Sequence, residues 1–282
     1  MSIKKTLWQV ASVIKRNVFV PKVTIQLSEI NYGGILKDKK IIITGGDRGL
    51  GYAIAKKCIS EGAKVLIAAR NEEKLQAAVK ELGEYCKYFI YDVTDVENSD
   101  MFIENALQIF GGNIDCMVFN AGISLHEKNI LDVTIENFEK QFKTNLEGSY
   151  FLAQAFLKHV DFEACPVSKT LLFISSERGF QCDDIPYGLT KASINSLVRG
   201  LSRRFYSKGI RVNGIAPGIT ASDMTKVDAA GNLYVDRLVS KRYFVPEEIA
   251  EVAVFLLSNA SNCISGEIIA CDAGEYLSSY FG

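Results

Sequence analysis

From Lys39 onward the chain alternates short, unbroken apolar runs with longer stretches of helical periodicity. Few folds accept that alternation. Ile41-Ile42-Ile43, Lys64 to Ala69, Tyr88 to Tyr91, Cys116 to Phe119, Thr170 to Ile174, Arg211 to Ile215 and Ile268 to Cys271 read as strands. A continuous apolar run, unlike one interleaved with polar residues, marks a strand buried on both faces. Between the runs, helices are predicted over Leu50 to Ser60, Glu72 to Leu82, and about 95–110, 134–158, 187–206 and 246–257. Strands and helices in alternation require a parallel sheet covered on both sides, an α/β doubly wound architecture. No internal repeat, low-complexity tract or linker follows residue 38, so residues 39–282 are expected to form one domain.

Residues 1–38 differ in character and are read as an N-terminal extension. Lys4, Lys5, Lys15, Arg16 and Lys22 are basic, and no acid precedes Glu29. Leu7, Trp8, Val10, Ala11 and Ile14 fall on one helical face, Pro21 ends that helix, and Val23 to Leu27 alternates as an extended segment would. The apolar part is short, is broken by Gln9 and lacks a small-residue cleavage site, which argues against a signal peptide. An arm packing on its own or a neighbouring subunit is expected. A membrane-surface helix and a disordered leader are the alternatives.

Composition narrows the function. Of 282 residues 23% are charged and the formal net charge is -1, which gives nucleic acid no basic surface to bind. The 7 cysteines are odd in number and never spaced C-x-x-C, so they read as buried free thiols in a reducing, cytoplasmic setting. Two histidines without cysteines at ligand spacing offer no metal site. No apolar run approaches the roughly 18 residues of a spanning helix.

The first strand runs directly into Thr44-Gly45-Gly46-Asp47-Arg48-Gly49-Leu50-Gly51 and then a helix. Glycines at such a turn let the backbone approach a pyrophosphate, and a helix N-terminus favours its charge. A dinucleotide is therefore expected. The second strand ends Ala68-Ala69-Arg70-Asn71, without the carboxylate that usually takes the ribose 2′-hydroxyl of NAD. Arg70, joined by Arg48 in the glycine turn, suits a 2′-phosphate, because a guanidinium fork donates two hydrogen bonds at once. NADPH is the expected cofactor, with NAD the alternative.

The chemistry is placed on Ser175 to Lys191. Ser176 ends the apolar strand, and Tyr187 and Lys191 stand four apart at a helix start, on one face. A free phenol has a pKa of roughly 10, and bringing it to about 7 takes roughly 4 kcal/mol. One positive charge at about 4 Å in a partly dry cleft supplies roughly that much. Lys191 is thus expected to lower the Tyr187 phenol into the range of a general acid/base. A second Tyr-x-x-x-Lys pair, Tyr52 and Lys56, follows the glycine turn and is read as accidental.

With these residues assembled, the chain resembles the short-chain dehydrogenase/reductase family over about residues 37–276, within the Rossmann type of fold. The motifs fall in the family's order: Thr44-Gly45-x-x-x-Gly49-x-Gly51, Asp92-Val93, Asn120-Ala121-Gly122, Asn145, Ser176, Tyr187-x-x-x-Lys191, Pro217-Gly218, and Asp272-Ala273-Gly274. The resemblance implies that Asp92 and Val93 border the adenine and that Asn120, Ala121 and Gly122 line its ribose. It implies that Asn145 bends its helix and holds a water linked to Lys191, and that Thr220 gives a backbone N–H to the nicotinamide carboxamide, with Ser222 beside it. Lys191 would also hold the nicotinamide ribose. Ser176 is preferred over Ser175 as the catalytic hydroxyl because Ser-x-x-Gly is the family's form.

The implied activity is NADPH-dependent reduction of a ketone, closest to the 3-oxoacyl-thioester reductases. The substrate is a small carbonyl compound, with acyl thioesters among the candidates, bordered by a variable lid at residues 219–245. An NAD-dependent sugar, polyol or steroid dehydrogenase, or a non-catalytic dinucleotide-binding protein, are the alternatives. Homodimers or homotetramers through the helices 134–158 and 187–206 are implied by the family.

Overall fold

Seven strands, all parallel, make one sheet in the computed structural model, which describes residues 21–25, 30–162 and 169–278. They are β1 (Lys40–Thr44), β2 (Lys64–Ala69), β3 (Cys86–Ile90), β4 (Cys116–Phe119), β5 (Lys169–Ile174), β6 (Ile210–Pro217) and β7 (Ile268–Cys271), in the order β3-β2-β1-β4-β5-β6-β7. The helices are α1 (Gly49–Ser60), α2 (Glu72–Leu82), α3 (Ser99–Phe110), α4 (Ile135–Phe142), α5 (Gly148–Lys158), α6 (Pro186–Phe205), α7 (Pro246–Leu257) and a last turn α8 (Glu275–Ser278). This is the Rossmann-type α/β fold expected.

The apolar runs are continuous because successive side chains point to opposite, equally buried faces. Ile41 and Ile43 join one core with Ile54, Leu75, Ile249 and Leu257; Ile42 joins the other with Phe102, Leu152, Ile194 and Val198. All three strand isoleucines are fully buried, each stabilising the fold by roughly 1.5–3 kcal/mol. Strand order reverses between β1 and β4, so the loops leaving their carboxyl ends part and open a cleft there.

The helix expected over 134–158 is continuous but not uniform. Thr134 caps it by accepting the Asn137 N–H at 3.1 Å, and residues Lys143–Glu147 widen into a π turn that contains Asn145. Past that turn Gly148 lies against β3's exit loop. A Cβ there would stand 2.4 Å from the Val93 carbonyl oxygen, so only glycine fits.

Beyond β6 the chain makes an excursion over residues 219–245 before α7. Phe244 and Ala221 close its base, the Phe244 N–H donating to Ile219 and the Ala221 N–H to Phe244. Within it, the Tyr243 N–H donates to the Leu233 carbonyl and the Val235 N–H to the Lys241 carbonyl. Residues before β1 are held by Glu61, whose buried carboxylate accepts the Tyr32 N–H at 3.0 Å and the Gly34 N–H at 3.1 Å. Burial alone would raise that carboxyl's pKa. Those backbone donors and the Lys57 ammonium 3.1 Å away outweigh it and hold the group below the usual carboxylate range.

The helix expected at residues 7–14, with Gln26 and Leu27 of the extended stretch, lies outside the described residues. The described cysteines are free, but Cys182 and Cys263 are exposed rather than buried, because both fall in surface loops instead of apolar elements. Among the described residues no helix is long and apolar enough to cross a membrane.

Candidate active site

The glycine turn leaves the carboxyl end of β1 and Ser176 that of β5, while Tyr187 and Lys191 stand at the start of α6. The turn after β1 is built on backbone that favours glycine, Gly45 at φ +63 and Gly49 at φ +54. Gly51 is required for a different reason. A Cβ there would lie 2.1 Å from the Gly45 carbonyl oxygen and 2.5 Å from Asn120 Nδ2. Asn120 ties the turn down, its amide donating to the Thr44 and Gly45 carbonyls at 3.0 and 2.9 Å, while the Asn120 N–H donates to Thr44 Oγ1 at 3.1 Å. The Ala121 N–H reaches the same hydroxyl at 3.2 Å. Asp47 and Leu50 complete the turn, Leu50 packing onto the core.

At the end of β5 the two serines separate by role. Ser175 Oγ donates to Asn195 Oδ1 at 2.6 Å and is buried in the helix contact. Ser176 Oγ instead accepts the Arg178 N–H at 3.3 Å and stands near enough to the Tyr187 hydroxyl to act on its titration. Pro186 starts α6 at its first position, where its missing N–H has no partner to lose, and so puts Tyr187 in the first turn and Lys191 one turn on. The Lys191 ammonium is buried, donates to the Ile174 carbonyl at 2.8 Å and lies 5.7 Å from the centre of the Tyr187 ring.

Asn145 faces this pair from the π turn. Its Oδ1 accepts the Ile123 N–H at 2.8 Å, and its Nδ2 donates to the Ile123 carbonyl at 2.9 Å and to Thr190 Oγ1 at 3.2 Å. Gly122 borders both groups: a Cβ there would be 3.3 Å from Asn145 Oδ1 and 3.6 Å from Lys191 Nζ.

Electrostatically the pair departs from expectation. Burial pushes the Tyr187 phenol above its ordinary value, against the nearby Ser176 hydroxyl, with Glu177 adding to the rise and Arg178 opposing it. Burial also pulls the Lys191 ammonium down to about 8. The expected lowering of the phenol by Lys191 is therefore not found; Lys191 is not among the groups that shift it. The reason is that the buried ammonium hydrogen-bonds the Ile174 carbonyl instead of the phenol. The other pair is unlike this one: Tyr52 on α1 donates to Glu81 on α2 at 2.8 Å, and its phenol is pushed up to about 12 by burial and by that carboxylate.

The chain matches the family described as Enoyl-(Acyl carrier protein) reductase over residues 45–275. The chain belongs to the short-chain dehydrogenase/reductase family. A 3-oxoacyl-(acyl-carrier-protein) reductase of Chlamydia trachomatis is 34% identical over 249 residues, covering 86% of this chain and 98% of the relative. Among solved structures, a 3-ketoacyl-(acyl-carrier-protein) reductase from Brucella melitensis complexed with NADH is 26% identical with a TM-score of 0.79, covering 86% of this chain and 99% of that one. ElxO with NADP bound is 29% identical with a TM-score of 0.75, over the same shares. This short-chain dehydrogenase/reductase is an NAD(P)-dependent oxidoreductase.

The remaining predicted residues occupy the cleft margins. Arg70, at the end of β2, lies 3.6 Å from Asp92, and Arg48 lies 2.9 Å from Asp223 at the start of the excursion. Val93 follows Asp92 and meets Gly148. On the far side, Pro217 ends β6 and the Gly218 N–H donates to Cys271 at 3.0 Å. Thr220 and Ser222 close a turn through Thr225 Oγ1, which donates to the Thr220 carbonyl at 2.8 Å and accepts the Ser222 N–H at 3.0 Å. His126 reaches the same loop, its Nε2 3.0 Å from the Met224 carbonyl.

Two cleft residues, Glu177 and Arg178, are given no role by the sequence reading, and Asp183 is noted there only as part of the loop bordering the substrate. Arg178 and Asp183 form a two-pronged ion pair, with both N–O distances 2.5 Å, that braces the loop between Ser176 and Tyr187. Glu177, next to Ser176, is buried and its Oε2 has no hydrogen-bond partner among the described residues. The Ser-Glu-Arg-Gly run contained the signal, since an acid and a base adjoining a buried strand end are unusual, but only the fold shows which of them is covered.

Proposed function

We propose that this enzyme reduces a small carbonyl substrate, with a 3-oxoacyl thioester the preferred class, using NADPH. The observation that carries the reading is the convergence of Ser176, Tyr187, Lys191 and Asn145 beside a glycine turn that a side chain would fill. The turn fits a dinucleotide: Gly51 keeps the backbone open to a pyrophosphate at the α1 N-terminus, and Arg48 and Arg70 offer forks for a 2′-phosphate. Asp47, Asp92, Val93, Asn120, Ala121, Gly122, Pro217, Gly218, Thr220 and Ser222 would line the rest.

Bound there, NADPH supplies a hydride. Ser176 and Tyr187 hold the substrate carbonyl oxygen through their hydroxyls, and Tyr187 passes its proton to that oxygen. A phenol raised by burial is protonated at neutral pH, the state that reduction needs. Lys191, still mostly an ammonium at pH 7 with a pKa of about 8, stabilises the phenolate left behind. A water in the space that Gly122 leaves bare would link Asn145 to Lys191 and return the proton. The location is cytoplasmic and the assembly a dimer or tetramer, the relatives' reductase names supporting the acyl-thioester class.

One observation favours an NAD-dependent second reading: Arg48 and Arg70 already face carboxylates. Titration by cofactor fluorescence separates the two. NADPH is expected to bind at least tenfold more tightly than NADH, as befits a charge-assisted fork on phosphate. Arg48→Ala and Arg70→Ala should each weaken NADPH binding and leave NADH unchanged. Equal or tighter NADH binding by the unaltered enzyme would overturn the NADPH assignment in favour of alcohol oxidation.

A further inference from the structure

The family match begins at residue 45, yet residues 21–25 are bound to the excursion that borders the cleft. The Leu233 N–H donates to the Val23 carbonyl at 3.0 Å, and the Val23 N–H donates to Asn232 Oδ1 at 3.0 Å. Asn232 Nδ2 also donates to the Pro21 carbonyl at 3.3 Å. Leu233 in turn accepts from Tyr243, so Val23, Leu233 and Tyr243 are joined in one ladder of backbone bonds. Ile25 adds an apolar contact, packing on the small cluster of Ala221, Leu233 and Val245.

That cluster is the only apolar centre of the excursion among the described residues, and it stands apart from the two cores of the sheet. A small satellite cluster has few contacts to spare, so an added isoleucine matters to its order. Ala221 adjoins Ser222, Asp223 and Met224, which reach the glycine turn through Arg48 and the cleft rim through His126. One loop therefore touches the extension on one side and Arg48 and His126 on the other.

We propose that Val23 and Ile25 are positioning residues for substrate. They add an outer layer to residues 219–245 and fix that loop over the cleft, so that substrate fit depends on residues outside the family match. This rests on the reading that the loop borders the carbonyl substrate.

Ile25→Asp places a charge in the cluster, Asn232→Ala removes both side-chain bonds to the extension, and Ile25→Val keeps the contact. In the full chain, Ile25→Asp and Asn232→Ala should speed hydrogen exchange at the Leu233 and Tyr243 amides. Both should raise KM for a reference 3-oxoacyl thioester tenfold or more for Ile25→Asp and severalfold for Asn232→Ala. Dissociation constants for NADPH should stay within twofold, and Ile25→Val should match the parent enzyme. Unchanged exchange, unchanged KM, or NADPH affinity falling in step with KM would each overturn the proposal. Turnover of no carbonyl by the parent enzyme, with exchange still faster in Ile25→Asp, would instead overturn the reductase reading and the substrate role drawn from it.

Discussion

Tyr187→Phe is expected to lower carbonyl reduction by about a thousandfold, within the range of roughly 10²–10⁴ that a positioned general acid contributes. The substitution deletes one oxygen and leaves the ring, so the packing of α6 on the sheet should persist. The Ser176 hydroxyl keeps the Arg178 N–H, and Lys191 keeps its bond to the Ile174 carbonyl. NADPH binding should therefore change little, because the glycine turn and both arginines lie elsewhere in the cleft. Steady-state turnover measured beside a cofactor titration checks this. Turnover within tenfold of the parent enzyme would remove Tyr187 from the chemistry. Loss of turnover and cofactor binding together would mean that the residue shapes the site rather than acts in it.

Glu177→Gln should stabilise the protein increasingly as pH rises. Burial, with Asp272 and Glu275 close by, pushes the Glu177 carboxyl from the usual 4.5 up to about 7, against the opposing charges of Arg178 and Arg237. A folded-state value above the unfolded one means that the group is at no disadvantage below about pH 4.5. Stability is then lost as pH rises through about 7, where the carboxylate must ionise in a dry site. At roughly 1.36 kcal/mol per pH unit the separation amounts to about 3 kcal/mol once the group is fully charged. Glutamine keeps the shape and never ionises. Urea unfolding should therefore find the variant and the parent alike near pH 4.5, with the variant ahead by about 2–3 kcal/mol at pH 8. A difference that does not grow with pH would show that Glu177 is not the buried acid described here.

Strand and helix placement was legible because the signal is local. Ile41-Ile42-Ile43 needs two apolar faces wherever it lies, and the seven runs reappear as seven strands with ends displaced by at most two residues. The glycine turn was equally plain, since a strand, a positive-φ glycine and a helix start are consecutive in the chain. Asn145 is singled out only through the family resemblance, as a residue that bends its helix; no local pattern marks it. The π turn around it depends on Ile123 and Thr190, 22 and 45 residues away in sequence.

What the sequence by itself determined is the doubly wound sheet and the strand-glycine-helix turn at its centre, because both are written in runs of consecutive residues. Only the tertiary structure decided that burial lifts the Tyr187 phenol and lowers the Lys191 ammonium. It also decided that Arg48 and Arg70 each face a carboxylate, and that residues 21–25 close on a loop 200 residues further along. Proton affinities and ion pairs follow from which groups share a dry pocket, and that is set by contacts between distant segments that no local pattern encodes.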